Sequence, residues 1–200
     1  PVGSDTDIHP TSVVNALGSS NVTIQTGSGS YDLTISSAIS YSGSNNLILE
    51  AGQDVLINAA IDIDSGDLTI TSGRNLTVGA DLTSATFTAT VTEDATINNA
   101  INSGSGTLTI DADNDLTVGA NLTTSNTGNS AIVLTAGKND AAGTSSGGQV
   151  IISGSPTIST GGSGRTTFLT GSVSGSTGLT TLLGSGTGRF RYHSDETTTN

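Results

Sequence analysis

The 200-residue chain has no cysteine, methionine or tryptophan and only three prolines. Without cysteine there is no disulfide framework and no thiolate metal site. Aromatic residues make up 3% and charged residues 11%. Thr, Ser, Asn and Gly fill about half the chain. Disordered chains of that polarity are usually rich in charge and proline, and this one is poor in both. Positive charge is scarcest: 5 Lys and Arg stand against 17 Asp and Glu, a formal net charge of −12. That balance argues against nucleic acid or heparin as a general partner. No apolar run approaches the ~20 residues needed to cross a bilayer, and no signal peptide is visible, so membrane insertion is not expected. The chain opens on Pro1 rather than methionine, as expected of a processed product or a piece of something longer. Leu, Ala, Glu and Lys do not dominate, which excludes a helical bundle. What is abundant is Thr, Val and Ile, the residues of strands.

Internal repetition organises those residues. The stretch from Leu68 to Leu82 matches that from Leu108 to Leu122, 40 residues on, with Leu-Thr-Ile, Leu-Thr-Val-Gly-Ala and the closing Leu in common. A degenerate copy lies between them: Phe87-Thr88-Ala89, Ala95-Thr96-Ile97 and Ile101. Upstream copies hold Leu47-Ile48-Leu49, Val55-Leu56-Ile57 and Ile61, then Val22-Thr23-Ile24, Leu33-Thr34-Ile35 and Ile39. Downstream, Ile132-Val133-Leu134, Val150-Ile151-Ile152 and Ile158 keep the pattern around an insertion near Lys138 to Gly148, and a looser copy begins near Phe168 and Leu169. Each unit holds two alternating strands and a third short apolar anchor, separated by Gly, Asn, Asp and Ser. A unit of about 20 residues cannot bury its apolar face alone, so units must stack. The expectation is an all-β chain: a parallel β-helix of seven or eight three-strand coils, about 35 Å long at the usual strand spacing. The crossover preference makes it right-handed. A β-sandwich of hairpins also has short strands and turns, but it does not require one spacing to recur five or six times.

An open coil exposes strand edges, so the ends need covers. Residues 11–17 read as a short capping helix with Pro10 before it, Thr11 as N-cap and Gly18 as stop, presenting Val13, Val14 and Leu17 to the first coil. The organisation is then a lead-in over 1–20, repeats over 21–182, and a terminal strand with a polar tail or linker over 183–200. Within that last part Arg189-Phe190-Arg191-Tyr192-His193 alternates, with the aromatics on one face and the basic groups on the other. It reads equally as an interaction strand for a neighbouring unit (Arg189, Phe190, Arg191, Tyr192) or as an ordinary last strand.

The run from Asp7 to Leu17 leading into Asn21-Val22-Thr23-Ile24-Gln25-Thr26, followed by Gly-Asp-Leu-Thr-Ile and Asn-Leu-Thr-Val-Gly-Ala units, resembles the filamentous-haemagglutinin-type exoproteins of Gram-negative bacteria. Those travel by two-partner secretion or autotransporter routes, and the resemblance covers roughly residues 7–182. It implies a right-handed β-helix shaft, an extracellular or cell-surface location, and work in adhesion, biofilm or cell contact. It also implies neighbouring copies or units of the same protein, or a host or bacterial surface receptor or glycan, as partners. The family's N-terminal secretion domain is not evident in these residues. Alternatives are a self-assembling extracellular fibre subunit and a carbohydrate-binding β-helix module.

No constellation points to catalysis. Glycoside hydrolysis needs two carboxyl groups a few ångströms apart, one kept protonated, but the acids here lie mostly in turns. The two histidines, His9 and His193, stand at opposite ends. No catalytic residue and no cofactor is therefore assigned. Calcium is the one metal considered. Asp111, Asp113 and Asp115 place carboxylates two apart in a turn, and Asp62, Asp64 and Asp67 do something similar. Neither continues into an EF-hand or a calcium β-roll repeat. The aligned column Asp32, Asp54, Asn75, Asp94, Asp115 suggests instead that these residues serve turns, with Asp94 and Asp115 the pair where a cation would relieve repulsion. Outward threonines raise the question of ice binding. A paired Thr-x-Thr row is expected only at Thr88 to Thr92, in a single coil, so solubility and β propensity explain them better.

Overall fold

In a computed structural model of the chain, residues 8–27, 29–141 and 144–183 are described. Helix α1 (Pro10–Leu17) leads into the first coil, β1 (Val22–Gln25), β2 (Leu33–Ile35) and β3 (Ile39–Ser40). The second coil is β4 (Leu47–Ala51), β5 (Val55–Ile57) and β6 (Ile61–Asp62); the third is β7 (Leu68–Ser72), β8 (Leu76–Val78) and β9 (Leu82–Thr83). The fourth is β10 (Phe87–Val91), β11 (Ala95–Ile97) and β12 (Ile101–Asn102). The fifth is β13 (Leu108–Ala112), β14 (Leu116–Val118) and β15 (Leu122–Thr123). The sixth is β16 (Ile132–Ala136), β17 (Val150–Ile152) and β18 (Ile158–Ser159), followed by β19 (Thr166–Leu169) and helix α2 (Leu179–Leu183).

Every strand pairs in parallel with its counterpart one coil away, giving a first sheet of 7 strands and second and third sheets of 6 each. This is the expected β-solenoid, and the repeat alignment read from sequence is its register: Leu68 opposes Phe87 and Phe87 opposes Leu108. The coil count needs correction. Six complete three-strand coils are present among the described residues, with β19 opening another. The expectation of seven or eight counted the looser copy near Phe168 as a coil, but among the described residues that copy supplies only β19 before helix α2.

Alternation sorts the residues as the physics of a strand demands. In β7 Leu68, Ile70 and Ser72 face inward and are buried, while Thr69 and Thr71 face out. Stacked inward columns of Leu, Ile and Val form one continuous core, most of it wholly inaccessible to solvent. One coil shows how tightly volume is matched. Phe87 is fully buried in a column of leucines, and its own coil supplies Ala89 and Ala95 where the coils on both sides carry isoleucine (Ile70, Ile110) and leucine (Leu76, Leu116). A large side chain is thus offset by two small ones at constant packing density.

Helix α1 covers the first coil, burying Val13 and Leu17 and half-burying Val14 against β1 and β3. Its cap differs from the expected one. The N-cap is His9, whose Nδ1 accepts from the Thr11 N–H at 3.3 Å, and Pro10 is the first helical residue. Proline suits that position, since its missing N–H would have had no intrahelical partner. Gly18 ends the helix, and Asn45 Nδ2 donates to the Leu17 carbonyl at 2.6 Å, tying the helix end to the second coil. At the far end α2 packs on β17 with Leu179 buried. Its i, i+3, i+4 spacing of Leu179, Leu182 and Leu183 was readable in the sequence. Among the described residues no helix is long and apolar enough to cross a membrane.

Two turns that lead from the third sheet back to the first are built alike, 40 residues apart. Asp62 Oδ1 accepts from the Asp64 N–H at 3.2 Å, and Asn102 Oδ1 accepts from the Gly104 N–H at 3.1 Å. Both acceptors precede a left-handed residue, Asp64 at φ 46° and Gly104 at φ 47°. Only glycine adopts that conformation without steric cost.

Two outcomes follow in thermal unfolding. Val78 is fully buried between Ile57 and Ile97, so Val78→Asp should cost at least about 3 kcal/mol by burying an unpaired charge. An unchanged Tm would show that the columns are not the core. Asp64→Gly should raise stability by about 0.5–1 kcal/mol by relieving the left-handed strain, and a lower Tm would contradict that reading.

Candidate functional site

The sheets end at corners, where some backbone N–H groups still reach a carbonyl of the preceding coil, as Arg74 N–H does at Gln53 O (3.1 Å), while the residue directly before the strand does not. The residue before each second-sheet strand gives its carbonyl to the coil before it: Leu33 N–H donates to Asp54 O at 2.8 Å, Leu76 N–H to Asp94 O at 3.0 Å and Ala95 N–H to Asp115 O at 2.9 Å. That residue's own N–H also points to the preceding coil, where no carbonyl faces it. A side chain supplies the acceptor. Asp54 N–H donates to Asp32 Oδ1 at 3.1 Å, Asn75 N–H to Asp54 Oδ1 at 3.0 Å and Asp94 N–H to Asn75 Oδ1 at 3.2 Å. Asp115 N–H donates to Asp94 Oδ1 at 3.1 Å and Gln149 N–H to Asp115 Oδ1 at 2.8 Å. The column read from sequence as a turn column is therefore a continuous ladder of side-chain acceptors.

The other two corners use the same device in shorter runs. At the first-sheet corner Asn46 N–H donates to Asn21 Oδ1 and Asp67 N–H to Asn46 Oδ1, both at 2.9 Å. At the third, Ala100 N–H donates to Asp81 Oδ1 at 3.2 Å and Thr157 N–H to Asn121 Oδ1 at 2.8 Å. None of these residues was expected to serve a corner; Asp67 was weighed only for calcium. The available signal was an Asn or Asp directly before an apolar-x-apolar strand.

Carboxylates stacked in a column repel unless donors reach them. Arg74 meets Asp54 with two hydrogen bonds, Nε to Oδ1 at 2.7 Å and Nη2 to Oδ2. The Arg74 hydrogen bond, aided by the Asn75 N–H and the guanidinium charge, holds the Asp54 carboxyl below its ordinary range, while burial opposes the shift. Asp54 in turn raises the Arg74 pKa, mainly through that hydrogen bond. At the pair expected to be strained, Asp94 Oδ1 also accepts from Asn114 Nδ2 at 2.7 Å.

The three aspartates considered for calcium each face a separate donor flanking the long insertion. Lys138 Nζ lies 3.1 Å from Asp111 Oδ2, Asn139 Nδ2 donates to Asp113 Oδ2 at 2.6 Å, and the Gln149 N–H is the donor to Asp115. The fifth coil thus moors both the entry and the exit of the sixth coil's insertion. Gly137, at φ 70°, turns the chain into it. Gln149 extends the mooring outward, its Oε1 accepting from the Ser172 N–H at 3.1 Å. Among the described residues no group of three or more His, Cys, Asp or Glu is placed to hold a metal ion. Two buried oxygens beside this cluster, Asp111 Oδ1 and Thr135 Oγ1 on paired strands, have no hydrogen-bond partner among the described residues.

The outward faces are ruled by threonine. Thr69, Thr88 and Thr109 stand in one column of the first sheet, with Thr71 and Thr90 in the next. Two adjacent coils therefore carry paired Thr rows, not the single one expected. Glu50 and Asp111 bound the second column. The second sheet has one column, Thr77, Thr96 and Thr117, between Leu56 and Ile151. His9 serves as a helix cap, while His193 and the residues expected to form an interaction strand, Arg189, Phe190, Arg191 and Tyr192, lie outside the described residues.

Removing a single rung tests the ladder without changing charge. Asn75→Ala leaves the Asp94 N–H without its acceptor and should cost about 1–2 kcal/mol; an unchanged denaturant midpoint would show the rung to be dispensable. The Asp54 pair predicts a pH signature. The folded carboxyl lies below its unfolded value near 3.8, so its contribution is present above that pH and is lost as pH falls through the folded value. The Tm gap between the unaltered chain and Asp54→Asn should therefore be largest at neutral pH and shrink toward about pH 3. A gap independent of pH would contradict the ion pair. No family model, curated protein or solved structure matches the chain.

Proposed function

We propose that this chain is a non-enzymatic structural segment, a shaft unit, of a secreted bacterial surface adhesin or filament. The observation that supports this reading best is the unbroken bonding between coils. Strands pair from the first coil to β19, and side-chain acceptors continue the bonding through the corners. Such a rod is built from nearest-neighbour contacts and so sets a distance along its axis. The outward surface suits the role. It carries columns of threonine and turns of Asn, Asp and Ser, and of the aromatic side chains that commonly grip sugars only Tyr31 is exposed among the described residues. The bacterial, extracellular setting rests on the resemblance of the repeats to filamentous-haemagglutinin-type exoproteins. In that setting its partners are neighbouring units of the same protein, with receptor contact made by other parts.

A shaft should tolerate loss of whole coils. Excising residues 68–107 joins Asp67 to Leu108 and sets a matching strand where Leu68 stood. The shortened chain should still fold cooperatively, and small-angle scattering should show a rod shorter by about 10 Å, two strand spacings. The isolated full chain should bind no member of an array of bacterial and host glycans and cleave no polysaccharide. Saturable binding to one glycan would overturn the shaft reading in favour of a carbohydrate-binding module. Bond cleavage would overturn the non-enzymatic assignment.

A further inference from the structure

Charge is not spread evenly across the second sheet. Each coil presents three outward positions there, and the parallel pairing stacks them into three columns. The near column is the acceptor ladder that runs from Asp32 to Gln149. The middle column is Thr34, Leu56, Thr77, Thr96, Thr117 and Ile151. The far column is Ser36, Asn58, Gly79, Asn98, Gly119 and Ser153, all exposed. Its last five members each donate their N–H to a carbonyl of the preceding coil, which keeps the column in step. Every acid of this face therefore stands in one border column, and the other two columns hold no charge.

We propose that two copies of this chain pair side by side through the second sheet, with their axes parallel and their coils in register. A two-fold axis then runs along the middle column. Leu56 meets Leu56, Ile151 meets Ile151, and the threonines between them meet threonines. The near column of one copy faces the far column of the other. Asp32 meets Ser36, Asp54 meets Asn58, Asp94 meets Asn98 and Asp115 meets Gly119, so no carboxylate faces another. Asn98 can donate to Asp94 Oδ2, which accepts no hydrogen bond among the described residues. Reversing one copy lays near column on near column, sets Asp54 against Asp115, and is disfavoured by their repulsion. It also places Leu56 on Thr117 and Ile151 on Thr34, losing both apolar contacts. For a chain of net charge −12, the fitting partner offers neutral donors opposite the acids and apolar residues opposite Leu56 and Ile151. The chain's own face, turned over, is such a partner. Six coils by three columns cover about 29 Å by 20 Å, roughly 600 Å² per copy. The pair buries about 1,200 Å² in total, the lower limit of a standard interface, so the association is weak. It does not rest on the shaft reading, which a monomeric chain would leave standing.

Sedimentation equilibrium of the full chain at about 0.5 M salt, where net charge is screened, should show a monomer–dimer equilibrium as concentration rises toward millimolar. Thr96→Asp sets two carboxylates together on the two-fold axis and should raise the dissociation constant at least about tenfold. Thr88→Asp, a partly buried site on the first sheet, should leave it unchanged. Circular dichroism checks that both variants keep the fold. A chain that stays monomeric, or a dimer indifferent to Thr96→Asp, would overturn the proposal. Crosslinking reads the orientation, because the chain has no cysteine of its own. In the parallel pair two copies of position 34 face each other, whereas in the antiparallel pair they lie about 24 Å apart. A short bis-maleimide should join two molecules of Thr34→Cys at least about tenfold faster than two of Thr71→Cys. Position 71 is as exposed as 34 but lies on the first sheet. Equal rates would contradict the parallel, in-register pairing.

Discussion

The structure depends on one requirement: a backbone N–H at a corner, turned toward the neighbouring coil, must find an acceptor there. Within a strand the acceptor is a carbonyl, and parallel stacking provides it without regard to side chain. At a corner the chain changes direction, and although Arg74, Glu93 and Asn114 N–H still meet carbonyls of the preceding coil, the residue directly before the strand meets none. An Asn or Asp directly before the strand repairs the gap, since its short side chain places an oxygen where the missing carbonyl would have been. The rung from Asn75 to Asp94 and the rung from Asp94 to Asp115 have the same geometry, although one acceptor is neutral and the other charged. Hydrogen-bond direction, rather than charge, selects these residues.

This requirement also explains how so acidic a chain stacks acids in columns. A carboxylate that accepts a backbone N–H and a side-chain N–H is stabilised in its charged form. Asp54 has the Asn75 N–H and Arg74, and Asp94 has the Asp115 N–H and Asn114. The scarce cations are placed with the same economy. Arg74 stands on the ladder, and Lys138 stands where the longest insertion leaves the first sheet. The thin core needs few aromatics, because each coil adds one layer of Leu, Ile and Val and Phe87 fits only where two alanines make room for it.

Much of the fold was legible because the solenoid is periodic. Leu68, Phe87 and Leu108 could be aligned by spacing alone, and the alignment is the strand register. The coil count was misread at the last copy, where the loose pattern near Phe168 gives only β19 before α2 among the described residues. The insertion after β16 was legible as an insertion, but its course depends on Asp111, Asp113 and Asp115 reaching Lys138, Asn139 and Gln149 across coils, and no local pattern announces such contacts. The same limit applies to the three aspartates themselves. Two-residue spacing in sequence suggested a shared ligand, but on the fold one lies on the outward face of β13 and the others lie in the turn after it. Each therefore reaches a different donor. The cap at His9 was missed for a simpler reason: Thr11 is the commoner capping residue, but Pro10 can start a helix and displaces the cap by two positions.

The central claim is that side-chain acceptors extend the backbone ladder through the corners. Residue-resolved amide hydrogen exchange of the native chain tests it most directly. The amides of Asn75, Asp94 and Asp115 lie in turns, yet they should exchange as slowly as the strand amides of Leu76, Ala95 and Leu116, opening only when coils separate. Corner amides that exchange at the rate of ordinary exposed turns, while the strand amides stay protected, would contradict the account.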